Sequence, residues 1–223
     1  MRAALLMAII FGFSAAAHAQ DSVLDRRIKA DAPGAAVVWL PDSIPNGMLA
    51  WRISASAGVP VIFEASALDY RDPAIAAQRF DLDGFSVREA LDFLVAHDPR
   101  YRWEERDGIV IIRPIGVVAD PGDAFNQRIA GMRGDRVRLE DVLAAVRRSG
   151  VTAVLPAAID SQAFALDAPS GTILDLLAAA ARAHGGVMWS APDAARGPDQ
   201  SGFSIGFKTF AGAGAVAPGD AAR

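Results

Sequence analysis

The side chains able to do chemistry are few in this chain and stand apart. Of three histidines, His18 lies in the N-terminal leader, while His97 and His184 each fall near the end of an expected helix. A cation suits the negative pole of a helix there. No carboxylate or second histidine stands at ligand spacing from either, so no metal centre is expected. Asp81, Asp83 and Asp92 come nearest to an acid pair for general acid–base work. Strand alternation turns Asp81 and Asp83 to water, and helix phase does the same for Asp92. Ser170-Gly-Thr172 offers hydroxyls without the G-x-S-x-G turn that exposes a nucleophile, and Ser170 reads as a helix cap. Cysteine is absent, which removes thiol catalysis and zinc-thiolate sites. Glu104-Glu105-Arg106-Asp107 is a charge run of the kind that solvates a turn. No glycine-rich phosphate loop joins a strand to a helix. The expectation is a protein without catalytic residues, metal or cofactor, and so not an enzyme.

What is left is surface recognition. Trp51, Trp103 and Trp189 are large rings whose ordinary role is to fill a core. Trp51 lies off the apolar stripe of Leu49, Ile53 and Ala57, which makes it a candidate anchor for a protein partner. The second candidate surface is Ile109, Val110, Ile111, Ile112 and Arg113, read as an exposed strand edge. Such an edge takes up an extended peptide through backbone hydrogen bonds and needs no catalytic group.

These residues depend on a succession of short elements. Ala36 to Leu40 is rich in β-branched and aromatic residues and reads as a strand. Asn46 caps a helix from Gly47 to Ala57, and Gly58 ends it. Val59 to Glu64 and Gln78 to Asp83 read as strands. Ser86-Val-Arg-Glu89 has capping-box spacing and opens a helix with Val87, Ala90, Leu91, Leu94 and Val95 on its buried face. Tyr101 to Trp103 and Ile109 to Ile112 form a hairpin around Asp107-Gly108. Downstream, residues 126–133 suggest a strand, and Leu139, Val142, Leu143 and Val146 mark a helix closed by Gly150. Val151 to Pro156 and Gln162 to Asp167 read as strands. A helix containing Ile173, Leu174, Leu177 and Ala181 ends at Gly185-Gly186, and Val187 to Trp189 with Phe203 to Phe207 make a closing hairpin.

The chain begins with Arg2, an apolar run from Ala3 to Phe13 and the small residues Ser14 to Ala19, the pattern of a secretory leader. Cleavage before Gln20 is expected; the run is short for a membrane anchor, which needs about 20 residues. Roughly 200 residues then stay, enough for one domain or two small ones. Net charge is −4 over the full chain, and the leader takes away one further positive charge. A mildly acidic surface argues against nucleic acid as partner. Nothing after the leader resembles a membrane span. Residues 20–35 read as a flexible leader segment, 115–125 as a linker and 211–223 as a disordered tail.

The two halves share a pattern. Phe80-Asp-Leu-Asp matches Phe164-Ala-Leu-Asp, and Leu91-Asp-Phe-Leu94 matches Leu174-Asp-Leu-Leu177. The same order of helix, glycine, strand, strand, helix and hairpin recurs, which suggests one module used twice; a single α+β domain with similar helices is the alternative. Pro41-Asp-Ser-Ile-Pro-Asn-Gly-Met-Leu49, Ala55-Ser-Ala-Gly-Val-Pro-Val-Ile-Phe63, Phe85-Ser-Val-Arg-Glu-Ala-Leu-Asp-Phe-Leu94 and Tyr101-Arg-Trp103 with Ile109-Val-Ile-Ile-Arg-Pro114 resemble the short N-terminal domain of secretins and TonB-dependent transducers. The resemblance covers residues 36–114; residues 126–210 resemble it more loosely, with Arg138 where a capping hydroxyl is usual. It implies an α+β fold of two tandem β-α-β-β-α-β modules, with helices on one face of short sheets. It also implies a periplasmic interaction module. The partner would be a segment of an envelope protein, such as an outer-membrane channel or an anti-sigma regulator, in secretion or signalling. A carbohydrate- or ligand-binding protein or enzyme with its site between the repeats is the alternative, as is a subunit that assembles through its sheets. One continuous sheet through both halves would count against the adaptor reading, which rests on a doubled module.

Overall fold

The computed structural model describes residues 22–33, 36–40, 47–65, 78–151, 153, 162–185, 187–191 and 206–209. The expected signal peptide, the tail and most of the strand expected at 151–156 lie outside the described residues.

The first half runs through β1 (Val37–Leu40), α1 (Gly47–Ala57), β2 (Val61–Glu64), β3 (Gln78–Asp81), α2 (Val87–His97), β4 (Tyr101–Arg106) and β5 (Ile109–Pro114). This is the expected order. Helix α2 starts in a closed capping box: Glu89 N donates to Ser86 Oγ at 3.2 Å, and Ser86 N donates to Glu89 Oε2 at 2.6 Å. Asp107 and Gly108 have φ of 52° and 82°. Positive φ at both positions is the type I′ turn, whose twist suits a two-residue hairpin.

The second half contains β6 (Arg128–Ile129), β7 (Met132–Val137), α3 (Leu139–Arg148), β8 (Phe164–Ala168), β9 (Gly171–Thr172), α4 (Ile173–His184), β10 (Val187–Ala191) and β11 (Gly206–Thr209). Thr172, not Ser170, caps α4. Its Oγ1 accepts from Asp175 N at 3.2 Å and its N donates to Asp175 Oδ2 at 2.8 Å. Ser170 Oγ instead accepts from Gly131 N at 3.2 Å.

Strand β1 pairs antiparallel with β3, and β7 pairs antiparallel with β8. The largest sheet has the order β11-β10-β2-β5-β4 and draws on both halves. Its join is the parallel pairing of β10 with β2, where Trp189 lies opposite Ile62. Because side chains alternate along a strand, this sheet serves two cores. Val61, Phe63, Val110 and Ile112 face a core with Leu49, Ile53, Leu91 and Leu94 from α1 and α2. Ile62, Ile109 and Ile111 face a second core with Leu143 of α3 and Leu177 of α4. Fully burying such a side chain is worth roughly 1.5–3 kcal/mol, so neither face of β2 and β5 is dispensable.

The α+β class therefore holds, while several finer expectations are corrected. Helices cover both faces of the central sheet, not one. Strand β5 is no edge: it lies between β2 and β4, and Ile109, Val110, Ile111, Ile112 and Arg113 are at most 4% exposed. Strand addition at β5 is thereby excluded, since both of its backbone edges are occupied. The expected flexible leader is docked over residues 22–33. Ile28 is fully buried, its N donates to Phe85 O at 2.8 Å, and Gly84 N donates back to Ile28 O at 2.9 Å. The expected linker is packed at its end: it forms two short 3-10 turns, Ile115–Val117 and Ala124–Asn126, and the second buries Phe125 completely, while residues 119–122 stay exposed.

Candidate functional site

Strands β2 and β5 run parallel with Phe63 beside Ile112, so one step further along both chains places Glu64 beside Arg113. Arg113 Nε donates to Glu64 Oε2 at 2.6 Å, Nη2 to Asp123 Oδ1 at 2.6 Å and Nη1 to Asn126 Oδ1 at 3.0 Å. Its guanidinium also lies 5.4 Å from the Phe125 ring centroid. Asp123 accepts from Phe125 N at 2.9 Å, and Asn126 Nδ2 donates to the carbonyls of Val117 and Asp120 at 2.8 and 2.7 Å. One arginine thus ties the end of the central sheet to the segment that leads into the second half.

The cluster holds two carboxyls for one cation, almost out of contact with water. Burial, reinforced by a hydrogen bond shared with Asp123, pushes the Glu64 carboxyl up to about 8 against the pull of Arg113. Asp123 accepts from both Arg113 and a backbone amide. At neutral pH Glu64 therefore holds its proton while it accepts from Arg113.

Such a proton makes stability fall as pH rises. Above about 4.5 the unfolded chain releases the Glu64 proton while the folded one keeps it, up to about 8. Folding then binds a proton, and each unit of pH through that window weakens the fold. Glu64→Gln can keep both hydrogen bonds without the proton. Denaturation between pH 5 and pH 8.5 is expected to show the variant gaining on the parent as pH rises, by a few kcal/mol in total. Parallel pH profiles would contradict the shared proton.

A raised carboxyl beside another acid is also the equipment of acid–base catalysis. Here Arg113 and Asn126 line the neighbouring groove, whereas Glu64 and Asp123 do not. That groove, of about 280 Å³, runs between the β4–β5 hairpin and the start of α4. Arg102, Glu104 and Arg106 of β4 stand along one wall, and Thr172 and Asp175 along the other. Glu104 bridges Arg102 at 3.0 Å and Arg106 at 2.6 Å, and Arg106 reaches Asp175 at 2.9 Å. Arg182 of α4 pairs with Asp107 of the hairpin turn at 2.9 Å. The charge run expected to solvate a turn therefore also spans the seam between the halves. Exposed pairs like these contribute about 0–1 kcal/mol each, so they orient the seam more than they hold it.

The other sequence-flagged residues do not gather around this groove. Trp51 is half-buried at the rim of the first core, with the Arg52 guanidinium 4.4 Å from its ring centroid. Trp103 packs on the same core and donates to Asp92 Oδ1 at 3.2 Å. Trp189 is fully buried in the second core. Asp83 accepts from Ala30 N at 2.8 Å, and Asp81 accepts from Asp83 N at 3.1 Å. His97 stacks on Phe93 with 4.0 Å between ring centroids, and the buried His184 meets Phe164 edge-on at 5.5 Å. Among the described residues no three histidine or acidic side chains converge as a metal site would require. The Glu64–Arg113–Asp123 cluster was missed by sequence reasoning, although a signal existed: in each of two apolar strands the run ends on a charge of opposite sign.

Comparison of the chain with family models, with curated proteins and with solved structures returned no match.

Proposed function

We propose that this chain is an exported, non-catalytic protein-binding module of the cell envelope. In this reading it is similar to the short N-terminal domain of secretins and TonB-dependent transducers, and it receives an extended segment of an envelope partner along the outer edge of β4. A channel subunit or an anti-sigma regulator supplies that segment. The observation that carries the reading is the position of β4, a six-residue strand at the end of the central sheet that, among the described residues, pairs with β5 on one side only. The shared sheet tells against the adaptor of two tandem modules, so the reading kept here is a single binding edge on that sheet. Binding is assigned to one edge.

The hairpin geometry says which groups an incoming strand would meet. In a two-residue hairpin the closing pair, here Arg106 and Ile109, exchanges hydrogen bonds, so Arg102, Glu104 and Arg106 bond inward to β5. The backbone groups of Trp103 and Glu105 then point outward. Their row is short and its side chains are charged, the usual protection of an edge against indiscriminate pairing. A partner strand laid there would place alternate side chains over the Arg102–Glu104–Arg106 face and its groove, which supplies selectivity.

A photoreactive residue replacing Glu105, expressed in the envelope of the native host, is expected to give one discrete adduct. Combining it with Trp103→Pro, which deletes an outward N–H, is expected to abolish that adduct, whereas Trp103→Leu, which loses the same indole from the first core but keeps the N–H, is expected to retain it. No adduct at position 105, or equal labelling from a probe at Glu140 on α3, would contradict the assignment.

A further inference from the structure

A second surface differs in chemistry from the β4 edge. A cleft of about 470 Å³ lies between the backbone of residues 128–133 and the C-terminal end of α3. Arg128, Arg133 and Arg148 line it, and among the described residues no acid does. Arg133 is engaged by Asp167 through two contacts at 3.0 and 2.8 Å, both side chains being largely exposed. Arg128 and Arg148 have no ion pair among the described residues, although the chain as a whole is acidic. Between the cations the lining is apolar: Ile129 and Met132 pack on the second core, and Ala145 is buried.

The wall is pre-formed. Gly131 lies so close to the next segment that a Cβ would sit 2.7 Å from Ala168 O and 2.8 Å from Ser170 N. The negative pole of α3 is muted where it meets the cleft, because Val146 O accepts from Ser149 and Arg147 O accepts from Gly150 N. Two uncompensated guanidiniums over a small apolar floor form a site that lacks its counter-charge. Guanidinium forks match carboxylates in plane and number, which gives such contacts direction as well as strength.

We infer that this cleft binds an acidic peptide segment of a partner protein, with carboxylates on Arg128 and Arg148 and an apolar side chain between them on Ile129 and Met132. One feature favours a peptide over an anionic membrane. Ile115 is the one large hydrophobic residue strongly exposed among the described residues, so those around the cleft offer no apolar patch that could enter a bilayer. The inference does not rest on the β4 edge, which lies elsewhere on the molecule.

The test uses the mature chain with three probes: a fluorescein-labelled Glu-Leu-Glu-Leu-Glu peptide, its Gln-Leu-Gln-Leu-Gln counterpart, and phosphatidylglycerol vesicles. The acidic peptide is expected to bind at low salt, to weaken as salt rises, and to shift amides of Arg128 to Arg133 and of Ala145 to Ser149. Arg128→Glu and Arg148→Glu are each expected to weaken it about tenfold or more, and the glutamine peptide to bind at least tenfold more weakly. Both substituted side chains line an open surface, and circular dichroism controls for folding. Equal binding of the two peptides, binding unchanged in both variants, or vesicle association without peptide binding would each overturn the inference. The photo-adduct from position 105 is expected to persist in Arg148→Glu, which keeps a failure here separate from a failure of the β4 assignment.

Discussion

Arg113→Met is expected to destabilise the protein by about 3–5 kcal/mol, read as a lowered midpoint in chemical denaturation at pH 7.5. Arg113 is 4% exposed and is the one cation between Glu64 and Asp123, whose side chains are 5% and 7% exposed. Methionine fills comparable space but offers no donor. Three acceptors lose their partner at once, and a buried charge without a partner is far costlier than the net worth of the pair it came from. The penalty depends on buried negative charge left without its cation, so the deficit of the variant is expected to shrink as pH falls toward 5 and protons replace that cation. Adding Glu64→Gln and Asp123→Asn to Arg113→Met is expected to recover part of the loss. A deficit that is independent of pH and unrelieved by the triple change would mean that packing, not charge, is what Arg113 supplies.

The second large effect concerns Phe125. Phe125→Ala is expected to cost about 3–5 kcal/mol, because a fully buried ring is deleted from a core that cannot close around the gap. Its position makes the result informative. Phe125 belongs to the segment that joins the halves, and it packs in the core that Ile62, Ile109 and Ile111 share with α3 and α4. Removing an aromatic ring from a true linker would cost a few tenths of a kcal/mol at most. A small loss measured by urea denaturation would therefore restore the linker and separate the halves. A large loss that also lowers hydrogen-exchange protection in β2 and β5 is the expected outcome, since those strands border the cavity.

Local structure was legible where a single physical cause decides it. The Ser86–Glu89 capping box, the Asp107-Gly108 turn and the spacing of Leu139, Val142, Leu143 and Val146 each name an element on their own. The cap of α4 was misplaced by two residues, because Ser170 and Thr172 are equally good caps and only Thr172 has an acid three residues on. The larger miss concerned Ile109-Val-Ile-Ile112. An unbroken apolar run lacks the alternation of a half-wet strand and signals burial on both faces. Reading it as an exposed edge overlooked that pattern, and with it the second core. Val61-Ile-Phe63 carries the same signal. The pairing of β10 with β2 was not legible, because strand order depends on long-range contacts that no local pattern records. The arginine cleft was hidden for a similar reason: Arg128, Arg133 and Arg148 meet only once β6, β7 and α3 are packed.

The central claim is that both halves form one body around a shared sheet, so that the β4 edge is rigidly placed. Tryptophans already report on each side of that sheet. Trp103 packs on the first core and Trp189 is buried in the second. Two single-tryptophan chains, one keeping Trp103 and the other Trp189, with the remaining tryptophans changed to phenylalanine, read the two cores separately. After normalising for any difference in overall stability by far-ultraviolet circular dichroism on the same samples, fluorescence of each is expected to follow the same urea transition as the dichroism. Loss of the Trp189 signal in a distinct transition, with the Trp103 core still folded, would contradict the shared sheet and return the chain to two independent modules.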